Sequence, residues 1–172
     1  MCLLVGPAGV GKTLLLKRLQ FLSGKDKLGD MEEAPATIPT VGTNLVNVQV
    51  GKKTELTVRE LGGSMGPIWH SYYKDCRQLL FMVDVSNAAQ LSASTIQLLT
   101  TLTDDRLQDV SVLILLNKVD LPSSMTLTEL KSLMRLDDIV CHAKQNVTVL
   151  EISAREGQGL VETIAWLKDN NK

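Results

Sequence analysis

The stretch GPAGVGKT, residues 6–13, decides how this chain is read. Gly6 and Gly11 frame it, and Lys12 and Thr13 close it. Glycines let the backbone turn tightly and point successive N–H groups inward at anionic oxygens. The helix that follows aims its positive end at the same point. Lys12 can reach β- and γ-phosphates, and the Thr13 hydroxyl can ligate Mg²⁺. An ordinary Gly-rich strand–helix turn would share the glycines, but the flanks favour phosphates. MCLLV ahead of the loop is a short apolar strand, and KTLLLKRLQFL after it carries helical periodicity.

Composition narrows the class. A chain of 172 residues fits a single domain, residues 1–172, and can bury a substantial core. With 44% hydrophobic residues, disorder is disfavoured. The net charge of −1, without a long basic run, argues against a broad nucleic-acid face, so no nucleic-acid partner is expected. No apolar run is long enough to span a bilayer. Cys2, Cys76 and Cys141 are widely spaced and read as reduced, mostly buried thiols of a cytoplasmic protein, not as a disulfide frame or zinc site.

Along the chain, no repeat and no interdomain linker stands out. GKDKLGDMEEAPATIPT (24–40) is polar, punctuated by Pro and Gly, and reads as a long mobile loop. LVNVQV (45–50) and TELTVREL (54–61) read as an antiparallel hairpin across GKK. GGSMGP is a second loop leading into a short helix, PIWHSYYKDC. RQLLFMVDV, VSVLILLNK and NVTVLEISA read as strands. AAQLSASTIQLLTTL, LTELKSLMRLDDI and GLVETIAWLKDN read as helices. Strands alternating with helices build an α/β fold, a mostly parallel sheet covered on both faces. Ligands of such sheets bind beyond the carboxyl ends of the strands, where the phosphate loop, NKVD and the SAR tripeptide all fall.

NKVD, residues 117–120, selects the base. The Asp120 carboxylate can accept two hydrogen bonds from the N1–H and N2–H₂ edge of guanine, and adenine offers no such pair. The stem of Lys118 can lie over the base, and Asn117 can tie this loop to the phosphate loop. A backbone N–H of Ser153-Ala154-Arg155 could donate to the guanine O6. Alone, NKVD is a common strand-end turn. Downstream of a phosphate loop and ahead of SAR, it points to guanine.

With GPAGVGKT, IPTVGTN, ELGGS, NKVDLP and SAR in this order, the chain resembles the Ras-superfamily small GTPases over nearly its whole length. PTVG and NKVDLP resemble the ADP-ribosylation-factor branch. The resemblance implies a P-loop G domain: a six-stranded, mostly parallel sheet with one antiparallel strand, helices on both faces, and GTP or GDP bound with Mg²⁺. It assigns nucleotide contacts to Gly6, Ala8, Gly9, Val10, Gly11, Lys12, Thr13 and Leu14. It assigns others to Thr40 and Gly63, to Asn117, Lys118 and Asp120, and to Ser153, Ala154 and Arg155. Thr13 and Thr40 would ligate the metal, and Glu60 would touch it through a water. Thr40 would order the first switch loop only with GTP, and Gly63 would donate its N–H to the γ-phosphate.

The departures from the family pattern matter as much. Glu60 stands where relatives have Asp and is one methylene longer, which puts the usual water shell in question. Ser64 stands where relatives have the Gln that orients the attacking water, and a Ser cannot brace water and γ-phosphate alike. Catalysis would rest on Lys12 and, at most, Ser64. The segment from Gly63 to Trp69 is about two residues shorter than the branch pattern, so another residue could fill the Gln position. No Arg is placed by motif as a built-in finger, an element worth roughly 10³–10⁵ in rate. The resemblance therefore implies a switch with slow unaided hydrolysis.

The branch also presents three aromatics around the hairpin and switches. Here Tyr72 remains, and Thr43 and Arg59 stand at the other two positions. Effectors, exchange proteins and GTPase-activating proteins would engage residues 40–43, the hairpin 45–61 and residues 62–73, but the effectors should differ from those of relatives. Trp69 and Trp166 read as core fillers, with Trp69 partly exposed beside the second switch. The amphipathic helix and lipidated glycine of the branch have no counterpart in these residues, so no intrinsic membrane anchor is expected. A monomer recruited to membranes or cilium by partners fits the resemblance. Two other readings share the phosphate loop. One is a GTP-bound scaffold that never cycles. The other is a small-molecule kinase, disfavoured by NKVD and by the lack of an Arg-rich lid.

Overall fold

The computed structural model describes residues 1–23 and 34–171. The first ten residues of the expected long loop, 24–33, lie outside the described residues; its end, 34–42, runs extended into the first hairpin strand.

Six strands form one sheet: β1 (Cys2–Val5), β2 (Thr43–Gly51), β3 (Thr54–Leu61), β4 (Gln78–Asp84), β5 (Ser111–Asn117) and β6 (Asn146–Ile152). Their spatial order is β2-β3-β1-β4-β5-β6. All neighbours are parallel except β2 with β3, so the expected sheet with one antiparallel strand is present. The helices are α1 (Lys12–Ser23), α2 (Leu91–Leu102), α3 (Leu127–Leu133), α4 (Leu136–His142) and α5 (Leu160–Asp169).

The strands' side-chain alternation divides the core into two layers. Leu3 and Val5, with Leu79, Phe81 and Val83 and then Val112, Ile114 and Leu116, face a layer that includes Leu98 of α2, Leu130 of α3 and Ile139 of α4. Cys2 and Leu4, with Leu80, Met82, Leu113 and Leu115, face Leu15, Leu16 and Leu19 of α1 and Leu160 and Leu167 of α5. Every residue of β4 is buried, which is why RQLLFMVDV is a continuous apolar run without polar alternation. β2 lies at the sheet edge, and there Val46, Val48 and Val50 alternate with more exposed residues.

Three local expectations are corrected. The sequence LTELKSLMRLDDI is two helices, not one. Thr126 caps α3 in a reciprocal box with Glu129. The chain then breaks at Arg135, which is left-handed at φ 52° and donates from Nε to Asp138 at 2.8 Å. The break lets Leu130, Met134, Leu136 and Ile139 all reach the core. GGSMGP is likewise no open loop, because a 3-10 helix runs from Gly63 to Asp75. Its Trp69 is 2% exposed, not partly exposed as its place beside the second switch suggested. The indole donates from Nε1 to the Gly62 carbonyl at 3.1 Å and meets Phe81 edge-on, centroids 6.4 Å apart. Tyr73, one helical turn further on, is buried and donates its hydroxyl to Thr101. Trp166 is half-buried on the other layer. Of the thiols, Cys2 and Cys76 are buried and Cys141 is exposed.

Candidate nucleotide-binding site

β1 sits in the middle of the sheet, between β3 and β4, and its carboxyl end opens directly into the phosphate loop. This is the crevice where doubly wound sheets bind ligands. At Gly11 the glycine is required twice over. Its φ is +101°, and a Cβ there would stand 2.6 Å from the Asn117 side-chain nitrogen. Lys12 opens α1 and is 5% exposed. Its ammonium donates to the carbonyls of Gly6 and Pro7, both at 2.8 Å. Of its three donors, one is left over for an anion. Burial pushes the Lys12 ammonium down to about 8, and the nearby Glu60 carboxylate works against that. An anionic ligand at the loop would add to the effect of Glu60.

Three oxygens from distant parts of the chain converge beside the loop. The Thr13 and Thr40 hydroxyl oxygens are 2.9 Å apart. Glu60 Oε1 accepts from Thr13 at 2.5 Å and from Thr40 at 3.1 Å. Glu60 itself is 1% exposed. Its second oxygen, Oε2, is buried and has no hydrogen-bond partner among the described residues. A buried carboxylate with an open oxygen, beside two hydroxyls, is a donor set suited to a hard cation. The residues expected to hold Mg²⁺ therefore fit one.

The two segments expected to act as switches are fastened to each other and to the loop. Gly62 donates its N–H to the Gly42 carbonyl at 2.9 Å. Gly63 lies so close to the phosphate loop that a Cβ would stand 2.1 Å from the Ala8 nitrogen. Ser64 is exposed in the first turn of the 3-10 helix. Ile38 and Val41 flank Thr40 and are 84% and 94% exposed.

The elements expected to read the base meet on the other side of the loop. Asn117 donates from Nδ2 to the Val10 carbonyl at 2.8 Å, and its Oδ1 accepts from the Ala154 N–H at 3.0 Å. Lys118, left-handed at φ 71°, donates to the Gly9 carbonyl at 2.8 Å. Asp120 accepts the Ser153 hydroxyl at 2.7 Å, which orients its carboxylate. Arg155 is exposed and gives its carbonyl to the Arg18 guanidinium. The structure thus brings Asn117, Lys118, Asp120, Ser153 and Ala154 together beside the loop, with the Ala154 N–H engaged by Asn117.

Two members of the site went unread. Asp84 closes β4 and forms an ion pair with Lys118 at 2.7 Å. Gln90 donates from its side chain to the Ala8 carbonyl at 3.1 Å. Asp84 carries a sequence signal, since it ends the apolar run LLFMV as Asn117 ends VLILL, and the two stand opposite in the β4–β5 register. Gln90 carries no local signal, because only the fold brings it to the loop.

On the outer face, the Arg59 guanidinium lies 5.6 Å from the centre of the Tyr72 ring. The one retained aromatic is thus covered by a cation at one of the replaced positions.

Residues 1–171 match the model of the ADP-ribosylation factor family. The chain is 57% identical over 172 residues to human ADP-ribosylation factor-like protein 16, covering 100% of this chain and 86% of that protein. It is 31% identical over 169 residues to ADP-ribosylation factor-like protein 1 of Saccharomyces cerevisiae, covering 97% and 85% of the two. Among solved structures, the Arl6 BBS3 small GTPase of Trypanosoma brucei, with the bound nucleotide analogue GppNp, superposes with a TM-score of 0.79. That alignment covers 98% of this chain and 94% of the other at 20% identity, and it speaks to the fold alone. The chain belongs to the ADP-ribosylation factor family of small GTPases.

Proposed function

We propose that this protein is a guanine-nucleotide switch that binds GTP with Mg²⁺ and hydrolyses it slowly until a partner completes the site. The convergence of Thr13, Thr40 and Glu60 carries the reading. It joins the phosphate loop to the first switch, so what occupies the loop decides where Thr40 sits. Gly6, Ala8, Gly9, Val10, Gly11, Lys12, Thr13 and Leu14 would hold the phosphates. Asn117, Lys118, Asp120, Ser153, Ala154 and Arg155 would shape the base pocket. Mg²⁺, when bound, neutralises charge on the phosphates.

Slow turnover follows from the residues at the second switch. Ser64 is exposed and too short to bridge an attacking water and the γ-phosphate. Gln90 is committed to the Ala8 carbonyl. Lys12 supplies charge but cannot orient a water while two of its donors are held by Gly6 and Pro7. The exposed Ile38, Val41 and Leu45, with the Arg59–Tyr72 pair, form the surface through which effectors and regulators would read the state. The likeness to ADP-ribosylation factor-like proteins supports a role in membrane or ciliary trafficking, with recruitment from the cytoplasm by partners.

The test is direct. The purified protein is denatured, and the released nucleotide is identified by chromatography. Predominant GTP supports a switch that rests on. Release of adenine nucleotide, or of none from a protein that also fails to bind added GTP and GDP, would overturn the reading.

A further inference from the structure

The reach of Glu60 has a consequence for the metal. An Asp at this position would stop one methylene short and would act through an intervening water. Glu60 Oε1 instead stands beside both threonine hydroxyls, at 2.5 Å from Thr13 and 3.1 Å from Thr40, and those hydroxyls are 2.9 Å apart. Adjacent ligands of a Mg²⁺ octahedron with 2.0–2.1 Å bonds are separated by about 2.9 Å. Two of the three edges, 2.9 and 3.1 Å, match the triangular face of such a shell, and the third, 2.5 Å, is shorter because a hydroxyl–carboxylate hydrogen bond draws it in. Hydroxyl–carboxylate hydrogen bonds give such distances too, but they leave Oε2 buried with no hydrogen-bond partner among the described residues, on a side chain 1% exposed. Burying a carboxylate with half its acceptor capacity unused is costly. A divalent cation at Oε1, with one of its remaining waters donating to Oε2, would offset that cost.

We propose that Glu60 is a direct ligand of the divalent cation, in place of a water, and that Thr13, Thr40 and Glu60 form one face of its coordination shell. This rests on the switch reading above and deepens it. The cation then carries one water fewer and one more anionic bond than a water-bridged site. The switch loop is tied to the metal through Thr40 and the hairpin through Glu60. Release of the metal would loosen both together.

The test uses the full chain loaded with a non-hydrolysable GTP analogue and Mn²⁺ in place of Mg²⁺. Electron paramagnetic resonance in ¹⁷O-enriched water counts the waters on the metal. The natural chain is expected to hold one fewer than Glu60→Asp, whose shorter side chain restores the bridging water. A second measurement does not depend on any variant. With ¹³C at the glutamate side-chain carboxyls, electron–nuclear double resonance is expected to give a resolved carbon coupling to Mn²⁺ of the size a directly bound carboxylate produces. Equal water counts in the two proteins, or no carbon coupling in the labelled natural chain, would overturn direct ligation and leave the switch reading standing. Failure of the chain to retain the analogue at all would overturn the switch reading and this inference with it.

Discussion

Asn117 donates its side-chain amide to the Val10 carbonyl at 2.8 Å, across 107 positions of the chain. Through the same side chain, the Ala154 N–H is drawn in at 3.0 Å. One buried residue thus fastens the phosphate loop, the end of β5 and the turn after β6. Asn117→Ala leaves a buried carbonyl and a buried N–H without partners, at a cost of about 2–4 kcal/mol. The urea midpoint should fall accordingly, and affinity for GDP and GTP should fall together. An unchanged midpoint would contradict this role.

Gly63 rests on the phosphate loop with no room for a side chain, since a Cβ would meet the Ala8 nitrogen at 2.1 Å. Gly63→Ala should lift the second switch away at about 1–3 kcal/mol. Trp69 reports the change, because its indole is bonded to the Gly62 carbonyl. In a Trp166→Phe background, Trp69 emission should shift to the red and become open to acrylamide. Unchanged emission and stability would contradict the packing described.

Asp120 is oriented by the Ser153 hydroxyl at 2.7 Å, ready to accept two guanine donors. Losing two charge-assisted hydrogen bonds in Asp120→Ala should cost about 3–6 kcal/mol, roughly 10²–10⁴ in Kd. Inosine triphosphate lacks the N2 amine, so it should bind the natural chain more weakly than GTP. The variant should no longer distinguish the two. Equal discrimination in both proteins would move base recognition elsewhere.

The thiols divide by burial. Cys141 is exposed, whereas Cys2 and Cys76 lie in the core. Burial pushes the Cys76 thiol from its ordinary 9.0 up to about 12, and Cys2 is raised as well, chiefly by burial. The folded state favours the neutral thiols, so their contribution to stability is complete below pH 9 and is lost as pH rises toward 12. At pH 8 an aromatic disulfide reagent should titrate one thiol quickly, and all three only after unfolding. In a Cys76→Ala variant the decline in stability above pH 9 should be shallower. Rapid reaction of all three thiols in the folded protein would contradict the burial.

Much of the fold is legible in the sequence. The continuous apolar runs in β4 and β5 could only be strands covered on both faces, and alternation with helical segments fixed a parallel sheet. The loop of residues 6–13, NKVD and SAR all mark strand ends, and a parallel sheet gathers those ends on one edge. The misreadings were tertiary. LTELKSLMRLDDI has good helical periodicity, yet the gain from burying Met134 and Leu136 together outweighs a continuous helix. GGSMGP carries turn residues, yet Trp69 and Tyr73 anchor it as a 3-10 helix. Glu60 was legible as a departure from the family pattern. Its convergence with two hydroxyls depends on where the hairpin lies against β1, with Glu60 opposite Leu4.

The central claim concerns the rate at which this site cuts GTP unaided. Single-turnover hydrolysis, followed on the protein loaded with γ-³²P GTP and Mg²⁺ without any partner, tests it most directly. With Ser64 exposed and no arginine placed by motif as a finger, the account predicts about 10⁻⁴ s⁻¹ or slower, the range of unassisted small GTPases. A rate of about 1 s⁻¹ or faster, typical of a site completed by its activating partner, would contradict it.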